Sequence, residues 1–250
     1  MEKLYPYFLE KPWAGKFLSD FYGFPSKKIG EAWLISTLDG AESQMNQQNL
    51  SEYLGKRLPF LVKIIDAQES LSVQVHPNDD WAQKLENSKG KTECWLIVNA
   101  APGAGVYLGL RPGITEEAFK EAILQNKSVE TFLNFYPVEE GDFISVPSGT
   151  IHAIGGGVTL LEVQQASGIT YRLWDWGRLG RELHYEKGLK VSNYQAAYEI
   201  KKAQAGCLLK HSDFSCYFNE YSGKGWFIDL KTFEVYHSDK PQSHNYIFVR

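Results

Sequence analysis

From about residue 59 to residue 177 the chain is a succession of short runs rich in β-branched and aromatic residues, cut apart by turn residues. That pattern constrains its fold more than any other feature. PFLVKIIDA, LSVQVHP, ECWLIVNA, DFISVPSGTIHAIGGGVTLLEVQQ and TYRLWDWG all have strand character. Many short strands with turn signals between them predict an antiparallel β barrel or sandwich. Helical spacing interrupts this in few places. NLSEYLGK predicts one helix, and NDDWAQKLENSKG a short one capped by Asn78 or Asp79 and stopped by Gly90. TEEAFKEAILQN and SVETFLNFY, with Thr115 and Ser128 as caps, predict a small helical insertion over about residues 115–136. The tail from about residue 206 reads as further strands. Its last strand needs a pairing partner, because Tyr246, Ile247 and Phe248 would otherwise lie at an open sheet edge. A composition shift in NYQAAYEIKKAQAG is the one plausible boundary, giving a main domain over 1–200 and a reduced β domain over 201–250.

Charge and cysteine usage narrow the function classes. A formal net charge of −4 leaves no footprint for nucleic acid or an anionic membrane surface, so an anionic ligand must meet locally placed cations. MEKLYPYFLEKPW lacks the apolar core of a signal peptide, and no run approaches the length of a membrane span. Cys94, Cys207 and Cys216 are odd in number and lack CxxC spacing, which predicts free thiols and a cytoplasmic location.

The polar faces of the strands carry the chemistry. In LSVQVHP, alternation places Leu71, Val73 and Val75 on one face and Ser72, Gln74 and His76 on the other. In GKTECWLI, Lys91, Glu93 and Trp95 share a face opposite Cys94 and Leu96. VPSGTIH delivers His152 from a turn, and Glu162 and Gln164 share a face of the next strand. Two imidazoles, a carboxylate and an amide oxygen suit a catalytic zinc with an open position, though two His and one carboxylate also suit non-haem iron. Taken singly, each residue has a plainer reading. Cys94 reads as core, Gly155 to Gly157 as a tight turn, and His184 as a helix residue outside the site.

GDFISVPSGTIHAIGGG resembles the second motif of the cupin barrels, with Gly141, Pro147, Gly149 and His152 in its spacing and glycines where many cupins have an Asn. The first cupin motif is absent in its usual HxH form. With KPWAGK, IGEAWLIS, LSVQVHP, GKTECW, TYRLWDWGR and RELHYEKGL in order, residues 5 to 195 are similar to the type I mannose-6-phosphate isomerases, in their short bacterial form. The resemblance implies a mainly β cupin barrel, one Zn²⁺ per chain, and interconversion of mannose 6-phosphate and fructose 6-phosphate through an enediolate. It makes Gln74, His76, Glu93 and His152 the metal ligands and Arg172 an active-site residue. It places Trp13, Lys63, Ser72, Lys91 and Glu162 around the substrate. Within that frame Lys63 and Ser72 are expected on neighbouring strands, gripping the phosphate, with Trp13 at the barrel mouth. Glu162 is expected to be the base, with Lys91 or metal-bound water as rivals. Arg172 stabilises the enediolate, from a strand that the turn at Ala166 to Gly168 folds against that of Glu162. A small sugar phosphate is the expected partner, and a monomer or weak homodimer the expected state. The alternatives are a metal-binding cupin that senses a sugar phosphate without catalysis, and an iron oxygenase on the same barrel. The tail resembles the relatives poorly, and a second domain shorter than theirs is expected.

Overall fold

Strands Phe60–Ala67 and Val158–Gln165 are buried at every position, so each must lie inside a sheet with both faces covered. The computed structural model describes residues 4–220, 223–241 and 245–250, and it satisfies that demand with two facing sheets. One has seven strands, in the order Glu199–Lys202, Asp142–Val146, Glu93–Ala100, Val158–Gln165, Phe60–Ala67, Ile29–Ile35, Tyr7–Glu10. The other has five, in the order Leu133–Pro137, Gly105–Leu110, His152–Ile154, Val73–Val75, Tyr171–Trp174. From residue 60 to 174 the chain passes back and forth between them, which is the double-stranded β-helix expected of a cupin. Among the described residues no helix is long and apolar enough to cross a membrane.

Alternation decides what each face meets. Ile65, Trp95, Ile97, Leu160, Val106, Leu108 and Ile154 point between the sheets and form the apolar floor of the barrel. Val62, Ile64, Cys94, Leu96, Leu161 and Val163 point the other way and pack on Leu208, Cys216, Trp226, Ile228, Ile247 and Val249 of the tail. The outer face of the five-stranded sheet, with Val73, Val75, Ala153 and Leu173, is covered by Phe119, Ala122 and Ile123 of helix Glu116–Leu124. The tail is a five-stranded sheet in which Tyr246–Val249 pairs on both sides, with Ser215–Phe218 and Gly225–Asp229, as its apolar residues require. Strand Glu199–Lys202 pairs with Asp142–Val146, so the tail sheet begins only after it.

Two local expectations are corrected. SVETFLNFY is not helical. A single 3₁₀ turn, Glu130–Phe132, follows Val129 rather than a Ser128 cap, and strand Leu133–Pro137 then pairs with Gly105–Leu110. Asn126 in the left-handed region closes the preceding helix, and the open edge of Gly105–Leu110 offers a ladder that outweighs a weak helical preference. Helix Asp79–Glu86 is capped by Asn78, whose side chain accepts from Trp81 N–H at 2.9 Å, but it ends at left-handed Asn87 rather than Gly90.

The triple glycine does more than turn the chain. A Cβ on Gly155 would lie 2.3 Å from the Gly105 carbonyl oxygen, and Gly157 has φ +83°. Backbone cannot yield there as a flexible side chain would. Gly155→Ala is therefore expected to destabilise the fold by about 3 kcal/mol, the upper end for single substitutions. Thermal or urea unfolding measures it, and a loss under about 1 kcal/mol would show that the two strands separate freely.

Candidate metal centre

The barrel's polar end is built by register. Gln74 lies opposite His152 on one side and Arg172 on the other, so all three share the inner face of the five-stranded sheet. Across the barrel Glu93 lies opposite Gln164, and Glu162 lies opposite both Lys63 and Trp95. The side chains of His76, Glu93 and His152 converge there, with one ligand atom of each within 4.8 Å of the others and all three buried. Glu93 sits between the imidazoles, its two oxygens each 3.4 Å from an Nε2.

Backbone carbonyls set the tautomers. His76 Nδ1 lies 2.8 Å from Ile169 O and His152 Nδ1 2.9 Å from Thr150 O. Each Nδ1 must carry the proton, so each Nε2 turns a lone pair inward. Burial keeps the rings neutral. It presses His152 down to about 4 and, helped by the Lys91 charge, takes His76 well below the usual imidazole range. Glu93 is pushed up to about 7 by burial and by the Glu162 charge, against the pull of Lys91. His152 Nε2 is buried with no hydrogen-bond partner. Two neutral imidazole nitrogens, one of them orphaned, around a carboxylate short of positive charge fit a divalent cation. Lys91 supplies that charge in part. Its ammonium is 2.9 Å from His76 Nε2, ion-paired with Glu93, and 3.6 Å from Glu162. Gln74, the fourth expected ligand, is half-buried beside His152 on the shared face.

Behind the cluster runs a buried charge ladder. Lys63 is 3.0 Å from Glu162 Oε1, an ion pair without an aligned hydrogen bond, and 3.5 Å from Glu31. Glu31 also meets Lys11 at 3.2 Å and the Trp33 indole at 2.8 Å, while Trp95 donates to Glu162 at 3.1 Å. Burial would raise the Glu162 carboxyl, but Lys63 and Lys91 outweigh it and hold the group below its ordinary value.

Several placements differ from expectation. Lys63 and Ser72 are not on neighbouring strands. Phe60–Ala67 is flanked by Val158–Gln165 and Ile29–Ile35, and Ser72, also buried, leads into the opposite sheet. Lys63, expected at a phosphate, shares its charge between Glu31 and Glu162 inside the barrel. Glu162 and Arg172 do not form an antiparallel pair. Both edges of Val158–Gln165 are already taken, so residues 166–170 cross the barrel end and deliver Arg172 to the facing sheet. Arg172 Nη1 donates to Glu182 O at 2.7 Å, and its backbone N–H donates to His184 Nδ1 at 3.1 Å. His184, the residue just before helix Tyr185–Val191, thus braces Arg172 and lies outside the group of three ligands. Trp13 belongs to the apolar cluster with Ile65 and Ala67 rather than to the polar group. Two features escaped the sequence reading. Glu31 is a buried charge in an apolar strand, a signal visible in IGEAWLIS. The crossing segment links Ile169 O, under His76, to Ser167, whose Oγ accepts from Ile169 N–H at 3.3 Å.

A family model described as phosphomannose isomerase type I, catalytic domain, matches residues 10–94. Mannose-6-phosphate isomerase ManA of Bacillus subtilis (strain 168) is 37% identical, over 74% of this chain and 66% of its own length, just under two thirds. Probable mannose-6-phosphate isomerase GmuF of the same organism is 35% identical, over 92% of this chain and 82% of its own. A crystal structure of the mannose 6-phosphate isomerase from Bacillus subtilis superposes with a TM-score of 0.76 at 25% identity, covering 99% of this chain and 96% of that one.

Proposed function

Because the chain belongs to the type I phosphomannose isomerase family, we propose that it interconverts mannose 6-phosphate and fructose 6-phosphate at one zinc ion held by His76, Glu93, His152 and Gln74. The observation that carries this reading is the convergence of three buried ligand atoms, one of them the partnerless Nε2 of His152. Zinc in that position supplies a Lewis acid for charge developing on the sugar oxygens.

The chain's own residues account for the rest. Glu162 is buried and ionised, and one of its oxygens lacks an aligned hydrogen bond, so it is our base for the C2 proton. Lys63 acts through it, keeping the carboxylate charged in a setting that would otherwise protonate it. Arg172 stays charged on the facing sheet and stabilises the enediolate oxygen. Ser72 lies two residues before Gln74, so its hydroxyl is our remaining candidate from the notional phosphate pair. The test is formation of fructose 6-phosphate from mannose 6-phosphate by purified protein, stripped with chelator and reloaded with zinc. Zinc-dependent turnover supports the reading. Folded, zinc-loaded protein that binds the sugar phosphate without converting it would make the chain a sensor instead.

Metal affinity should depend on pH in a way set by Glu93. A metal must displace the proton that this carboxyl retains below about 7. Affinity is expected to fall about tenfold per pH unit below that value, by single-proton linkage. His152, near 4, adds no further competition until much lower pH. Competition with a chelator of known affinity between pH 5.5 and 7.5 measures the slope, and a flat profile would show that Glu93 is already ionised when the metal arrives.

A further inference from the structure

Gln164 is fully buried and faces the metal group, since its backbone partner across the ladder is Glu93. Its amide nitrogen donates to Gln165 O at 2.8 Å and to Ser167 O at 2.7 Å. Both N–H bonds are thereby used, and the amide orientation is unambiguous, because an oxygen in that place would face two carbonyls. The other end, Oε1, is buried with no hydrogen-bond partner. A buried acceptor left unpaired costs about 1–3 kcal/mol, so this amide is held for a donor that arrives from outside the chain.

The neighbours do not supply that donor. Glu93, directly opposite, is an acceptor when ionised, and Lys91, which meets His76, Glu93 and Glu162, makes no hydrogen bond to Gln164 Oε1. A sugar bound at the ligand group brings hydroxyls, each able to donate. We propose that Gln164 Oε1 accepts a hydrogen bond from a hydroxyl of the bound sugar phosphate away from the reacting carbons, making Gln164 a substrate-selecting residue. The inference rests on the proposed substrate. The crossing segment that fixes it also fixes His76, because Ser167 O holds the amide while Ser167 Oγ binds the N–H of Ile169, whose carbonyl meets His76 Nδ1. Recognition of a hydroxyl and orientation of a ligand imidazole are therefore built on one five-residue loop.

The experiment is equilibrium binding, by calorimetry, of the unreactive mannitol 6-phosphate and its 3-deoxy, 4-deoxy and 5-deoxy analogues to zinc-loaded wild type and Gln164→Met. The variant is expected to bind mannitol 6-phosphate about tenfold more weakly, the usual worth of a neutral hydrogen bond to a substrate hydroxyl. It should match wild type within about twofold for the one analogue that lacks the recognised hydroxyl. Equal losses for all four ligands, or none for any, would overturn the inference. Loss of zinc in Gln164→Met would also overturn it and make Gln164 a metal ligand. If that variant does not fold, Gln164→Asn, which withdraws the amide by one carbon, is judged by the same pattern. Turnover is not part of the readout, so absence of isomerase activity would count against the proposed reaction and leave the hydroxyl contact standing.

Discussion

His152→Asn is expected to abolish tight zinc binding and to lower isomerase turnover at least about a thousandfold, as loss of a catalytic metal's charge stabilisation does. Asparagine places its side-chain nitrogen near the position of the imidazole Nδ1, so the hydrogen bond to Thr150 O can survive. What disappears is Nε2, the buried atom that has no partner of its own. The substitution thus separates ligation from architecture better than alanine, which would also open a cavity at a fully buried site. Metal content by atomic emission and unfolding temperature are read together. Retained zinc at wild-type stoichiometry in the folded variant would show that His152 is not a ligand. An unfolding temperature close to that of stripped wild type would show that only the metal was lost.

The second large effect is expected at the proton. Glu162→Gln should keep its zinc, since Glu162 is not among the convergent ligands, and should lose exchange of the C2 hydrogen by about 10²–10⁴-fold, the range for removing a general base. Deuterated solvent and mass or NMR detection report the exchange directly. The variant also unbalances the ladder. Lys63 loses the carboxylate at 3.0 Å and keeps Glu31 at 3.5 Å, so the double variant Glu162→Gln with Lys63→Met is the control for an unpaired buried charge. Near wild-type exchange in Glu162→Gln would move the base to a metal-bound water or to the neutral amine of Lys91, whose side-chain nitrogen lies between Glu93 and Glu162. Arg172→Ala should slow exchange and turnover together while leaving the metal bound.

Period-two alternation made the inner faces legible. It put Glu93 and Trp95 opposite Cys94 and Leu96, and Gln74 and His76 opposite Val73 and Val75, as the packing clusters and the ligand group show. Alternation says which side a residue faces but not which strand lies alongside. That is why Lys63 and Ser72 looked adjacent and Glu162 and Arg172 looked paired, when each pair is divided between facing sheets. Neighbour choice depends on edges already occupied elsewhere in the chain, information that no local window contains. The electrostatics were hidden for a related reason. Glu31 is over thirty residues from Lys63 in sequence and 3.5 Å away in space, and only the fold reveals that Lys63 is committed before any ligand arrives. The tail strand Tyr246–Val249 was legible because an apolar run at an open edge has few tolerable alternatives.

The packing of the tail sheet on the barrel bears on how such a chain can change over time. Strand Glu93–Ala100 offers Glu93 to the metal group from one face and Cys94 and Leu96 to the tail from the other. A tail of different shape would press on the same backbone that aims a ligand. The two sheets are therefore poor candidates for exchange as modules between relatives. Substitutions in Leu208, Cys216 or Ile247 should drift in concert with those in Val62, Leu96 or Val163, and hybrids that mix the two histories should lose metal affinity before they lose their fold.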